Sequence, residues 1–409
     1  MGSCGGLWTG YGGAGEAGSI VIIAPLALNS ALGVYIHIPF CGHICPYCDF
    51  TTYAGKESLI PRYVECLVHD IDRQGQQVDG RPVAAVFIGG GTPSLLDGTQ
   101  VEMVIEACRR AFRLLPDAEI SMECNPNGLD ALRLAAYRRS GVNRLSIGAQ
   151  TFDRRGVRTL GRQHEAKDVL ASLDAAHEAG FENVSLDFIF GWPGQSLDQW
   201  RQDLETVLAL PEPPSHLSLY SLIVEPGTPF ADAAARGILH MPDDDTTADM
   251  YELAIEMLAG ARWHHYEVAN WSRQAEGYSR HNAIYWQHGD YLGIGAGAYG
   301  TVRNERFLNH LLPERWCSAV ESGESAASNL EIIDASTSRA ETMLLGLRLL
   351  DDGVQADAFF HRHGVDLDEV YGSVIHQLSG MGLLEETGTG VRLTHRGLLL
   401  ANDVIGRFL

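Results

Sequence analysis

The chain has 409 residues, 52 of them acidic and 30 basic, for a formal charge of −22. A surface this negative repels phosphate backbones and anionic lipid, which excludes sequence-independent nucleic-acid binding and broad membrane adhesion but not docking on one particular membrane protein. Eight cysteines, three bunched and five scattered, are not the framework of a small secreted disulfide protein.

Residues 1–30 are rich in glycine, with an apolar patch from Ile20 to Leu28 that is too short to span a bilayer and has no basic segment before it. Residues 1–32 therefore read as an extension ahead of the folded chain, and the free thiols point to a reducing, cytoplasmic setting. The apolar run Tyr35-Ile-His-Ile-Pro-Phe40 reads as a strand, and it delivers the chain into Cys41, Cys45 and Cys48. Apolar spacing predicts a helix over 59–76. The continuous apolar run 83–88, ended by Gly89-Gly-Gly-Thr-Pro93, predicts a buried parallel strand and a sharp turn. The rhythm then repeats: helices over 99–112, 129–140, 166–179 and about 197–210, with strands over 119–123, 144–149, 183–190 and 216–223. Six strands alternating with helices are βαβ units on a parallel sheet. Periodicity does not separate a doubly wound sheet from an incomplete barrel. The strand ends do: they carry the cysteine loop, Gly89–Thr92, Glu123 with Asn125, Gln150, Asp187 and Glu225, which implies one shared mouth of the barrel kind.

Beyond Pro229 the βα rhythm fades. A helix over 243–259, capped by Asp243 or Asp244, should bury Met250, Leu253, Met257 and Leu258. An aromatic, histidine-rich stretch over 263–271 and the segment His281-Asn-Ala-Ile-Tyr-Trp286 follow, and then small residues over 291–298. The excess of Ser, Gly and Ala over 316–330 reads as a linker. Helices over 336–350, 356–363 and 367–379 and a hairpin over 383–393 suggest a winged-helix-like module, not a DNA-binding one in so acidic a chain. The expected organisation is a core over 33–230, an extension over 231–315 and a C-terminal helical module over 330–409.

Three thiols spaced four and three residues apart can face one point. No fourth Cys or His follows at zinc-like spacing, so an open corner favours a [4Fe–4S] cluster over structural zinc. The C-x3-C-x2-C spacing resembles the radical S-adenosylmethionine (SAM) superfamily, in which the open iron chelates SAM. A glycine triplet at the end of the second strand suits the same zwitterion, since it lets backbone come close.

The resemblance narrows with Gly89-Gly-Gly-Thr-Pro-Ser-Leu-Leu96, Glu123-Cys-Asn-Pro126, Leu145-Ser-Ile-Gly-Ala-Gln-Thr-Phe-Asp153, Gly161-Arg-Gln-His164, Asp187-Phe-Ile-Phe-Gly-Trp-Pro-Gly-Gln195 and Glu225-Pro-Gly-Thr-Pro229. From about Val34 onward the chain resembles the oxygen-independent coproporphyrinogen III oxidase group. That resemblance implies an α/β fold, a partial (β/α)6 TIM-like barrel with a C-terminal helical, winged-helix-like module. It implies Cys41, Cys45 and Cys48 as cluster ligands, and Tyr35, Tyr47, Gly90, Gly91, Thr92, Glu123, Gln150, Arg162 and Asp187 as SAM contacts. The group holds two kinds of protein. One is a decarboxylase that turns two propionates of coproporphyrinogen III into vinyls; the other is a haem chaperone that passes haem to acceptors such as respiratory enzymes. The decarboxylase has a further Cys two residues past its motif and a longer N-terminal region. Here Phe50 stands at that place and the cysteine motif has only a glycine-rich tail in place of that longer region, and both departures favour the chaperone. His281-Asn-Ala-Ile-Tyr-Trp286 matches that class's haem-associated H-N-x-x-Y-W pattern and implies His281 as a haem residue, with His264, His265 and His288 as competitors. Tyr299 departs from the pattern, since related chaperones often carry His there. Monomer and dimer are both left open.

Overall fold

The computed structural model describes residues 31–78 and 80–409; the stretch 1–30, expected to be an extension, lies outside them. Strand β1 (Leu32–Ile38) opens the fold, and β2 (Phe40–Cys41) and β3 (Tyr53–Ala54) bracket the cysteine loop as a two-stranded parallel ladder. There follow α1 (Ile60–Gly75), β4 (Pro82–Gly90), α2 (Gly98–Ala111), β5 (Arg113–Cys124), α3 (Ala131–Ser140) and β6 (Arg144–Gln150). Next come α4 (Arg154–Thr159), α5 (Ala166–Glu178), β7 (Asn183–Phe190), α6 (Leu197–Leu208) and β8 (His216–Ser221). The outward positions of the strands are apolar because helices cover that face of the sheet. Helix starts are written in the sequence. Asp97 with Gln100 and Ser196 with Gln199 form capping boxes on α2 and α6, each satisfying two otherwise orphaned backbone N–H groups.

The extension contains α7 (Pro229–Ala235), α8 (Asp244–Gly260), β9 (His264–Glu267), β10 (Asn270–Ser272) and α9 (Arg280–Trp286). It ends with β11 (Tyr291–Ile294), β12 (Tyr299–Val302), β13 (Glu305–Asn309), α10 (Pro313–Ser322) and β14 (Ala327–Ile332). Asp243 caps α8, accepting from the Thr246 N–H at 2.8 Å, and Met250, Leu253 and Leu258 are buried while Met257 packs at the core's margin. The central sheet runs β14-β13-β12-β11-β1-β4-β5-β6-β7-β8-β10-β9. Its parallel part has seven strands rather than the six expected, because β11 pairs parallel with β1 on the side away from β4. Four residues are too short a run to stand out as a strand, and the pairing partner is some 250 residues away in sequence, a distance local pattern does not report.

The linker expected over 316–330 is not one. Helix α10 and edge strand β14 occupy it, Trp316 and Cys317 are buried, and the Trp316 ring lies 4.9 Å from that of Tyr63 on α1. The glycine in that stretch, Gly323, is the left-handed cap of α10 (φ 71°), a position that suits glycine. The C-terminal part comprises α11 (Ala335–Gly346), β15 (Val354–Gln355), α12 (Ala356–His363), α13 (Leu367–Gly380), the hairpin β16 (Leu384–Glu386) and β17 (Gly390–Leu393), α14 (His395–Leu399) and α15 (Ala401–Ile405). It has its own apolar core around Met343, Leu347, Phe359 and Val391, and Tyr251 and Ile255 of α8 pack on that core as well as on the barrel's. Helix α11 stops short of the expected Leu350 because 347–350 turns back to the extension: the Leu350 N–H donates to the Tyr266 carbonyl at 3.0 Å. Among the described residues no helix is long and apolar enough to cross a membrane.

Candidate cofactor site

The C-terminal ends of the parallel strands open on a cavity of about 500 Å³. Every site residue assigned from the sequence lines it: Tyr35 on β1, Cys41 at the end of β2 with Cys45, Tyr47 and Cys48 on the loop that follows, Gly90 at the end of β4 with Gly91 and Thr92 after it, Glu123 on β5, Gln150 on β6, Arg162 after α4, Asp187 on β7, and His281 on α9. Cys41 is buried where β2 ends, and Cys45 and Cys48 are half-buried in the turn that follows, closed by a Cys48 N–H to Cys45 carbonyl bond of 3.1 Å.

Donors are aimed at the sulfurs. The Thr92 hydroxyl lies 3.5 Å from Cys41 Sγ and Arg162 Nη1 3.7 Å from Cys45 Sγ. Asn125 ties these two donors together, giving its amide to Thr92 Oγ1 (3.1 Å) and accepting from Arg162 Nη2 (2.6 Å). Burial pushes the Cys41 and Cys48 thiols up, so the free thiols are protonated at neutral pH and a bound cation would have to displace those protons. Gly91 completes the cradle. A Cβ there would stand 2.7 Å from the Phe40 carbonyl oxygen and 2.9 Å from Cys41 Sγ, so only glycine lets β4's turn lie against the cysteine loop. Among the described residues no three His, Cys, Asp or Glu side chains gather about a single-ion point. A cubane binds each thiolate to a different iron, and three thiols on one loop, two of them with a donor at the sulfur, suit it.

Deeper in the barrel the inward positions of successive strands are polar at period two. Glu123 accepts from the Gly90 N–H at 2.9 Å; walled in and close to the Asp187 charge, its carboxyl is pushed up to about 8. Asp187 is held by Ser146 (2.7 Å) and Ser185 (2.8 Å), and its carboxyl too is raised by burial. Ser185 also meets His216 Nδ1 at 2.8 Å, and His216 Nε2 meets the Tyr266 hydroxyl at 2.8 Å. On β1 the Tyr35 hydroxyl meets His37 Nδ1 (2.8 Å), whose Nε2 meets the Thr51 carbonyl (2.9 Å), linking the barrel wall to the end of the cysteine loop. Gln150 holds a left-handed backbone (φ 64°), where β6 bulges against β7.

His37, Ser146, Ser185 and His216 were not among the expected site residues, and Asn125 was expected only as a polar group at the end of its strand. Their signal was present: a polar residue at every second place inside otherwise apolar strands marks the inward face of a barrel.

Helix α9 forms the floor. The N–H groups of Arg280 and His281 donate to the Glu119 carboxylate at 3.0 and 3.3 Å. The His281 imidazole, 2% exposed, stacks on Phe87 (centroids 4.9 Å apart, planes 20° apart) and meets Tyr285 edge-on at 4.6 Å. Its Nε2 shares a hydrogen with the Tyr285 hydroxyl at 2.7 Å, its Nδ1 is buried without a partner, and burial holds its pKa down at about 3. The three competing histidines lie elsewhere. His264 on β9 bonds Tyr278 and Asp351, His265 stacks on Trp271 at 3.9 Å, and His288 lines a separate cavity. Tyr299 stands 52% exposed on β12, outside the barrel cavity.

Similarity to known proteins agrees with this geometry. The family model of the radical SAM superfamily matches residues 35–207, and that of the HemN C-terminal domain matches 334–400. The heme chaperone HemW of Bacillus subtilis is 36% identical over 92% of this chain and 98% of its own length. The Escherichia coli protein of that name is 34% identical over 92% and 98%. Mouse mitochondrial radical S-adenosyl methionine domain-containing protein 1 is 33% identical over 93% and 88%. Among solved structures, coproporphyrinogen III oxidase (HemN) from Escherichia coli, a radical SAM enzyme, superposes with a TM-score of 0.78 over 94% of this chain and 92% of its own, at 21% identity, a likeness of fold.

Proposed function

The chain belongs to the HemW family within the HemN-like radical SAM proteins, and from that membership we propose that it is a haem chaperone, which carries a [4Fe–4S] cluster and SAM in the barrel, binds haem as cargo and delivers it to haem-accepting proteins such as respiratory enzymes. Cys41, Cys45 and Cys48 would hold the cluster, and Tyr35, Tyr47, Gly90, Gly91, Thr92, Glu123, Gln150, Arg162 and Asp187 would hold SAM. When bound, that pair supplies one-electron reductive chemistry at the sulfonium. The chain's own contribution is positional and electrostatic. The Thr92 hydroxyl and the nearby Arg162 charge favour thiolate over thiol at Cys41, and Arg162 places an N–H against the Cys45 sulfur. Gly90 and Gly91 admit a zwitterion against bare backbone. The Glu123 carboxyl, pushed up to about 8 by burial, would be drawn toward ionisation on meeting an ammonium group.

The observation that carries the chaperone reading over decarboxylation is position 50. Phe50, 64% exposed, stands at the rim of the cofactor cavity where the decarboxylase resemblance requires a further cysteine. Anaerobic reconstitution followed by two assays on one sample tests it. Stoichiometric haem uptake, read as a Soret shift, without SAM-dependent release of CO2 from coproporphyrinogen III is the expected result. Steady decarboxylation with no haem uptake would replace the chaperone with the oxidase.

A further inference from the structure

A second cavity, of about 280 Å³, lies outside the barrel, between the segment that leaves α9 and the C-terminal elements α11, β15 and α12. The haem-associated stretch is thereby divided. His281 and Tyr285 face the cofactor cavity, whereas Trp286 and the residues after it face this second one. Leu349, Val354, Phe359 and Trp286 supply the apolar part of the walls, the Arg348 guanidinium covers one face of the Trp286 ring at 4.4 Å, and the Gln287 side-chain oxygen is buried without a hydrogen-bond partner. Two histidines line the cavity. His288 is engaged on both nitrogens, Nδ1 with the Thr342 hydroxyl at 2.8 Å and Nε2 facing Glu341 at 3.6 Å. His361, on the last turn of α12, is exposed and takes part in no hydrogen bond or ion pair among the described residues. Next to it Arg362 spends one N–H on the His288 carbonyl (2.6 Å) and is in no ion pair with a carboxylate among the described residues, since Asp290 is taken by Arg81 and Glu341 by Arg306. Phe360, 46% exposed, has its ring 6.4 Å from that of His361, extending apolar surface beyond the cavity.

An unengaged imidazole, an unpaired guanidinium and an apolar slot are the three fittings a haem needs: an axial nitrogen for iron, a fork for a propionate, and contact for the ring. Building on the haem reading above, we propose that the cargo haem sits outside the barrel in this second cavity, with His361 as an axial ligand, Arg362 on a propionate and Trp286 against the ring. His281 is poorly placed as an axial ligand, because its ring is packed face-on against Phe87 and edge-on against Tyr285, and the cavity it lines is the one the cysteines and SAM residues line. A cavity of 280 Å³ lies below the range that encloses a drug-sized ligand, so it admits one edge of the macrocycle and leaves the rest open. An open edge suits a cargo that has to be handed on.

The test uses the full chain with its cluster reconstituted, titrated with haemin and with haemin dimethyl ester. Haemin should shift the Soret band of the unaltered protein. His361→Ala should weaken binding at least tenfold and alter the Soret and low-spin EPR signature, with cluster absorbance unchanged. Arg362→Ala should weaken haemin binding several-fold and leave the ester, which lacks free carboxylates, bound as before. His361→Ala that binds haemin with unaltered affinity and spectrum overturns this placement alone. Acid and ester binding equally well to the unaltered protein would remove Arg362 from the site. No Soret shift in the unaltered protein overturns the haem reading and this placement together.

Discussion

Gly91 shows how much of the cofactor site depends on one missing atom. Its turn passes so close to the cysteine loop that a methyl group would meet a backbone carbonyl oxygen at 2.7 Å and Cys41 Sγ at 2.9 Å. Neither neighbour is the loose end of a flexible side chain, so Gly91→Ala has to push the loop away. Overpacking of this kind costs about 1–3 kcal/mol. The expected result is lower iron and sulfide content after reconstitution, together with a lower melting temperature. Full cluster loading at an unchanged melting temperature would show that the loop yields freely. The same scale holds a contrast between thiols. Cys108 and Cys124, buried in the core, are pushed well above the ordinary thiol range, to about 12 for Cys108, and stay inert; Cys41 and Cys45 of the cluster loop have donors aimed at their sulfurs.

Asp203 on α6 governs how one βα unit closes. Its carboxylate accepts from the Thr151 hydroxyl at 2.6 Å and the Phe152 N–H at 2.9 Å, pinning the turn after β6 that delivers Gln150 to the cavity. Burial nonetheless dominates and pushes its pKa up to about 7. An unfolded Asp titrates at about 3.9, so between roughly pH 4 and 7 the folded chain holds a proton the unfolded chain has lost. Stability contributed by this group therefore falls as pH rises through that window. Asp203→Asn, which stays neutral, should flatten the slope; denaturant midpoints at pH 5 and pH 7.5 measure it. An unaltered difference between the two midpoints in the variant would put the pH dependence elsewhere.

At the scale of the whole molecule two apolar cores meet along α8 and along the turn 347–350. The seam is held by backbone bonds from Val268 to Arg348 (3.1 Å) and from Leu350 to Tyr266 (3.0 Å). The cysteine loop and the strand ends belong to the first core, whereas the second cavity exists only where the two meet. Removing residues 334–409 should leave cluster assembly in place while abolishing the haemin-induced Soret shift, and should expose the α8 face of Tyr251 and Ile255, with a loss of solubility. Retention of the Soret shift in the shortened protein would return the haem site to the barrel.

Cysteine spacing, the glycine turn and six βα units were legible in the sequence because each is a short-range pattern: ligands on one loop, a turn, an apolar period. The partial barrel followed from polar residues repeated at strand ends, and all the expected cofactor residues do line one cavity. The chain alone did not disclose β11 as a seventh parallel strand, the helix and strand in place of a linker over 316–330, or the direction each end of His281-Asn-Ala-Ile-Tyr-Trp286 faces. Each of these depends on contacts between residues far apart in the chain: Tyr291 beside Gly33, Trp316 on Tyr63, and the His281 ring on Phe87 while Trp286 faces the C-terminal elements. Local pattern identifies which chemistry a segment can support; only packing decides which cavity receives it.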